Sequence, residues 1–223
     1  MRLTSRDTKL VKDVGLSHLL SRDQIIQLGY FGSVTRANTR LRGLVQSGLL
    51  RRLETPFYGQ SLYMAGRIAP EVAGYKVGSL IESRTSSPRF IQHALSVTNV
   101  RLALISKGAS EWRFEQQLWR KLGKHEIRPD GLALTSSLPM FVEVDLGHVS
   151  AEKYKAKLLG YQMLATRSNC SECYPFENFR LVTVTTGPGR ARHLRQLHPT
   201  GADFEFLTTT FQELGATSVG GWS

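Results

Sequence analysis

Apolar positions along the first third of the chain recur at helical spacing and are broken by cap residues. Leu10, Val11, Val14 and Leu19 form a stripe running to about Leu20, with Thr4 or Ser5 placed to cap it and Asp7 in the first turn. Ser21 opens a second helix and Gln24 closes its capping box; Ile25, Ile26 and Leu28 follow, and Gly29 ends it. Tyr30, Phe31 and Gly32 make a turn. Ser33 caps a third helix, VTRANTRLRGLVQSG, in which Leu41, Leu44 and Val45 face inward and Gly48 stands just past the end. The pattern then changes to LLRRLE, TPFYGQ and SLYMAG, which is strand, turn, strand. Three helices followed by a hairpin predict a winged helix-turn-helix over residues 1–66.

Residues 67–89 carry glycines, Pro70, Pro88 and SRTSS, the composition of a linker, with a short helical piece around 69–74. A largely buried helix is expected over 89–106 from Phe90, Ala94, Leu95, Val97, Val100, Leu102 and Leu104. His93 near its start reads as a half-buried core histidine. A strand is expected over 112–116 with a turn after it. GLALT and MFVEV are two more strands joined by Ser-Ser-Leu-Pro, and a helix runs over 150–165. FRLVTVTT is β-branched and strand-like, Gly187-Pro-Gly turns into the basic helix RARHLRQLH, and DFEFLT is a last strand. The fold class is therefore α+β, with a mixed sheet over residues 90–212 and a loose tail at 213–223.

Charge narrows the partner. In 223 residues, 29 Lys+Arg stand against 18 Asp+Glu, a net charge of +11, with a pI near 10.0. Such a balance suits a polyanion, nucleic acid first. The third helix then has the residue types that meet bases and phosphates: Thr35, Arg36, Asn38, Thr39, Arg40 and Arg42, with Arg51 and Arg52 on the first wing strand. The tip near Tyr58-Gly59-Gln60 would reach flanking backbone. The bland reading is a winged fold used for protein contacts, with a merely solvated basic face. Cys170 and Cys173 form a CxxC with no second pair and no histidine pair at zinc-finger spacing, so two reduced thiols in a loop are expected. No secretory signal is seen, and no apolar run approaches the roughly 18 residues of a spanning helix. A cytoplasmic protein with no membrane partner is expected.

The chemistry concentrates in RPDGLALTSSLPMFVEVDLGHVSAEKYKAKLLGY. Asp130 starts one strand; Glu143 and Asp145 lie on the next and share a face by the period of two. A hairpin brings Asp130 beside them. Converging carboxylates repel unless a cation lies between them, and oxygen ligands of this kind select Mg²⁺ or Mn²⁺. Glu115 is a fourth candidate ligand at the edge. The bland reading is that these are solvated strand-end acids.

PD at 129–130, a short turn and Glu143-Val-Asp145 in an α-β-β-β-α-β core resemble the PD-(D/E)XK nuclease fold. The pattern wants lysine where Asp145 stands; some members place it on the following helix, where this chain has Lys153, Lys155 and Lys157. LTSRD, then HAL, PD, EVDLG and Lys157-xxx-Tyr161, are similar to the replication-relaxation family, which includes MobC-type plasmid relaxases. The resemblance implies a metal-dependent enzyme that nicks DNA at a plasmid transfer origin. In it Asp130, Glu143 and Asp145 are catalytic and hold Mg²⁺ or Mn²⁺, and Lys157 or Lys155 offsets phosphate charge. Its implied partners are double- and single-stranded DNA, an accessory relaxosome protein and a coupling protein. No HxH-type cluster is present, which disfavours the histidine-metal chemistry of better-known relaxases; a covalent Tyr154 or Tyr161 stays open. Two alternatives stand beside it: a non-catalytic DNA-binding regulator with a degenerate nuclease fold, and a restriction or repair nuclease of the same fold.

Overall fold

The computed structural model describes residues 2–56, 58–74, 87–217 and 219. Most of the expected linker, residues 75–86, lies outside the described residues, as do positions 218 and 220–223 of the expected tail. The chain divides into two compact units, Met1–Thr98 with Val219–Ser223, and Asn99–Ser218.

The first unit opens with α1 (Ser5–Leu16), whose N-cap is Thr4 in a full capping box with Asp7. The helix stops earlier than its apolar stripe because His18 takes a positive φ of 66°. Leu20–Ser21 instead form a short strand, β1, on the edge of a three-stranded sheet ordered β1-β3-β2. Ser21 and Gln24 cap α2 (Arg22–Gln27) reciprocally, and Ser33 caps α3 (Val34–Gln46) through the Arg36 N–H. β2 (Leu50–Leu53) and β3 (Leu62–Ala65) pair antiparallel, followed by α4 (Ala69–Ala73). Leu10, Val14, Ile25, Leu41 and Leu44 are buried together. A second cluster packs Leu19, Leu62 and Met64 against Ile91, Ala94 and Leu95 at the start of α5 (Pro88–Ser106).

The second unit is built on a five-stranded mixed sheet ordered β10-β9-β8-β7-β4. These strands are β4 (Glu111–Phe114), β7 (Gly131–Leu134), β8 (Met140–Asp145), β9 (Arg180–Thr185) and β10 (Glu205–Thr210). β4–β7 and β7–β8 are antiparallel; β8–β9 and β9–β10 are parallel. The parallel steps need crossovers, which α7 (Ala151–Ala165) and α9 (Pro188–Arg195) supply. The expected α+β class with a mixed sheet is what forms.

Three local features depart from the expectations. The strand at 112–116 stops at Phe114, because the Gln117 side chain accepts from the Phe114 N–H at 3.0 Å and starts α6 (Glu115–Leu118). A separate hairpin follows, β5 (Arg120–Leu122) and β6 (His125–Ile127), turned at Gly123 with φ 60°. Cys170 and Cys173 sit on a short helix, α8 (Arg167–Cys173), and not in a loop; Cys170 is buried in the core and both thiols are free. Near the C-terminus, α10 (Phe211–Leu214) is capped by Thr210. Asn99 then donates to the Thr217 carbonyl at 2.8 Å within the second unit. Gln92 donates to the Val219 carbonyl at 2.9 Å within the first.

Candidate functional site

Asp130 stands immediately before β7, where its backbone N–H reaches the Val142 carbonyl at 3.0 Å. Its Oδ2 accepts from the Val144 N–H at 2.7 Å, so the carboxylate lies against β8 between Glu143 and Asp145. The hairpin thus brings the first acid to the other two. Gly131 is required at the next position: a Cβ there would stand 1.9 Å from the Trp112 indole on β4.

Phe141 and Glu143 share a face, as strand parity demands, and α7 covers it. Tyr154, Lys157, Leu158 and Tyr161 recur at i, i+3, i+4 and i+7 and therefore project to one side of that helix. Lys157 Nζ reaches Glu143 Oε2 at 2.5 Å, and the Tyr161 hydroxyl donates to Oε1 at 2.6 Å. Tyr161 also packs on Phe141 with ring centroids 5.7 Å apart. Glu143 is 2% exposed. Burial pushes its carboxyl up to about 7, with nearby Asp130 adding to the rise and Lys157 opposing it. Burial alone pulls the Lys157 ammonium down, but Glu143, Asp130 and Asp145 together hold it above its ordinary value. Of the candidate lysines, Lys157 meets Glu143; Lys153 and Lys155 are exposed.

Asp145 has a different cation. Arg190 on α9 contacts both its carboxylate oxygens, Nε to Oδ2 at 2.7 Å and Nη2 to Oδ1 at 3.2 Å, and also reaches the Val149 carbonyl at 2.6 Å. Thr185 on β9 adds a hydroxyl at 3.1 Å. The hydrogen bond to Asp145 raises Arg190 above its ordinary value. Glu115 is paired with Arg128. Among the described residues no group of three His, Cys, Asp or Glu side chains is gathered as a metal site. Tyr154 and Tyr161 are buried with their hydroxyls engaged, the first with Thr183 and the second with Glu143. Sequence reasoning missed Arg190 and the Tyr161–Glu143 bond. The only available signal for Arg190 was its place in the first turn of a basic helix behind a Gly-Pro-Gly turn.

In the first unit the candidate DNA-binding residues fall on one helix and one strand. Ala37, Leu41 and Leu44 face the core. Thr35, Arg36, Asn38, Thr39, Arg42, Arg51 and Arg52 are exposed. Arg40 is half-buried and already engaged: its Nε reaches Asp7 Oδ1 at 2.8 Å, its Nη2 contacts Asp7 Oδ2, and Nη2 also reaches the Arg2 carbonyl at 2.9 Å. Burial would raise Asp7, but Arg40 and Thr4 outweigh it and hold the carboxyl down at about 2. A concavity of about 390 Å³ lies over the start of α3, lined by Arg6, Phe31, Thr35, Arg36 and Thr39 among others.

The family model for replication-relaxation matches residues 12–174, a span that includes α3, Asp130, Glu143, Asp145 and α7. The chain belongs to the replication-relaxation family. No curated protein matches this family member. Among solved structures it is similar to the crystal structure of protein VC1899 from Vibrio cholerae, at 12% identity and a TM-score of 0.31. That match covers 96% of the replication-relaxation chain and 55% of the other, so this chain spans about half the length of that protein. Among its described residues no helix is long and apolar enough to cross a membrane.

Proposed function

We propose that this replication-relaxation protein nicks DNA at a plasmid transfer origin, in the cytoplasm. In this reading the first unit is a winged helix-turn-helix that binds the duplex through the exposed face of α3. The second unit is a PD-(D/E)XK-like nuclease core. An accessory relaxosome protein and a coupling protein are the partners such a role needs. The observation that carries the reading is the buried Glu143, paired with Lys157 and lying beside Asp130.

Asp130 and Glu143 are the residues that would hold Mg²⁺ or Mn²⁺. Two carboxylates with water completing the shell are a common Mg²⁺ arrangement, and the donor set fits once Glu143 exchanges Lys157 or the Tyr161 hydroxyl for the ion. Such an ion supplies a water nucleophile and charge stabilisation at the phosphate. Asp130 is fixed by the Val144 N–H. Lys157 keeps its charge and stands where an anionic phosphate needs a partner. Asp145 orients Arg190 in this scheme, since both its oxygens already accept from the guanidinium. The buried and bonded hydroxyls of Tyr154 and Tyr161 favour water over tyrosine as the nucleophile.

The test is nicking of supercoiled plasmid carrying the cognate origin, with Mg²⁺ or Mn²⁺, by the wild type, Asp130→Ala and Glu143→Gln. The wild type is expected to nick and both variants to lose at least about 100-fold, the scale of a missing transition-state contact. Nicking by Asp130→Ala at the wild-type rate removes the assignment. A second reading, a DNA-binding regulator with a degenerate nuclease fold, is favoured by the Arg190 closure of Asp145. Origin binding with no cleavage under any divalent ion supports it.

A further inference from the structure

We propose that the β5–β6 hairpin and Trp119 form a binding surface for single-stranded DNA, in which a base stacks on the indole and Lys121 and Lys124 meet the adjacent phosphates. The inference rests on the reading that DNA is the partner, and it assigns a contact distinct from the exposed face of α3.

Trp119 is 47% exposed, a large apolar surface to leave in water. The ring is held in place nonetheless, because its Nε1–H donates to Glu126 Oε2 at 3.2 Å. Lys121 Nζ lies 5.6 Å from the ring centroid, close enough for a cation–π contact. The chain around it is anchored from below. Arg120 sits 5.1 Å over the Tyr174 ring and donates to the Gln117 and Trp119 carbonyls at 3.2 and 2.8 Å. Of the acids here, Glu126 accepts from Trp119 and Glu115 is paired with Arg128, while Glu172 is exposed. Lys121 and Lys124 remain exposed on the hairpin. Between the hairpin and the α7 and α8 side chains Met163 and Cys173 lies a cavity of about 420 Å³, also lined by Lys121, Lys124, His125 and Glu172.

An exposed, oriented aromatic ring beside exposed cations is the arrangement by which unpaired bases are taken up. Every base has a π-face and every nucleotide a phosphate, so stacking plus charge needs no sequence. A duplex hides its base faces and offers only phosphates. The surface therefore discriminates single strands, which are what a nick followed by strand separation exposes.

The experiment is fluorescence anisotropy of a dye-labelled single-stranded oligo-dT with the full chain, in EDTA and over a salt series. In EDTA neither cleavage nor origin recognition is read, so this proposal and the nicking reading can fail independently. Trp119→Ala is expected to weaken binding roughly tenfold, the scale of one lost stacking contact, and Trp119→Phe to keep most of it. Lys121→Gln/Lys124→Gln, which leaves the ring, is expected to reduce the slope of log K against log salt by about 1.4, two phosphate contacts at about 0.7 each. The proposal is overturned by absence of oligo-dT binding in the wild type. It is equally overturned by Trp119→Ala binding within twofold of wild type with an unaltered salt slope in the lysine double variant, or by Trp119→Phe binding as weakly as Trp119→Ala.

Discussion

Asp7 offers the sharpest test of how the first unit is held. Its side chain is fully buried. It accepts from the Thr4 N–H at 2.8 Å and from the Thr4 hydroxyl at 2.6 Å, and it pairs with Arg40 across to α3. Asp7→Asn keeps the shape and removes the charge. A charge-assisted hydrogen bond contributes about 1.5–3 kcal/mol and a capping box about 1 kcal/mol. Arg40 is 24% exposed and can partly rehydrate, which keeps the loss below the ~3–5 kcal/mol of a fully buried broken pair. The expected cost is about 2–3 kcal/mol. The carboxyl's displacement from 3.8 to about 2, which arises from these same partners, is of the same order, about 2 kcal/mol. A depressed carboxyl contributes stability that is fully present above the unfolded value of 3.8 and is lost as pH falls through about 2. The assay is urea unfolding of wild type, Asp7→Asn, Arg40→Gln and the double variant at pH 7, followed by circular dichroism, with wild type and Asp7→Asn repeated at pH 3. The single variants should couple by about 2 kcal/mol, and the gap between wild type and Asp7→Asn should narrow at pH 3. A coupling below about 0.5 kcal/mol refutes the reasoning.

Three further outcomes follow from the same geometry. Arg36→Ala should weaken duplex DNA binding and lower the salt slope by about one phosphate's worth while leaving the urea midpoint unchanged; Arg40→Ala should shift that midpoint. Gly160→Ala would gain up to about 1 kcal/mol of helix propensity, but its Cβ would stand 2.7 Å from the Glu126 carbonyl oxygen. Backbone cannot step aside, so overpacking of about 1–3 kcal/mol wins and the melting temperature should fall. Lys157→Met leaves Glu143 buried without its cation and should cost roughly 3 kcal/mol at pH 8. A raised carboxyl is most stabilising below its unfolded value of 4.5 and loses that stability as pH rises through about 7, so the cost should shrink at pH 5; equal costs at both pH values would contradict the placement of Glu143.

Caps and periods made most of the fold legible. Thr4 or Ser5, Ser21 and Ser33 marked the helix starts, and the MFVEV alternation placed Glu143 and Asp145 on one face. What stayed hidden was either short or long-range. β5 and β6 have three residues each, too few for a period to emerge from a polar segment. Arg40 has the residue type of a DNA contact, and only the packing of α1 on α3 reveals its engagement with Asp7. Asp145 and Arg190 lie 45 positions apart, joined by a parallel crossover that no local pattern encodes. The sequence could gather three acids on adjacent strands, yet it could not show that two of them bring their own cations.

The CxxC helix has a use at the bench. Cys170 is sealed in the core, and burial pushes its thiol up to about 11, so it resists alkylation at neutral pH. Cys173 is only partly buried. A brief pulse of a thiol reagent should therefore tag one cysteine per native chain and two per opened chain. The second tag is a clock built into the second unit, recording how often its core opens without any cysteine having to be introduced.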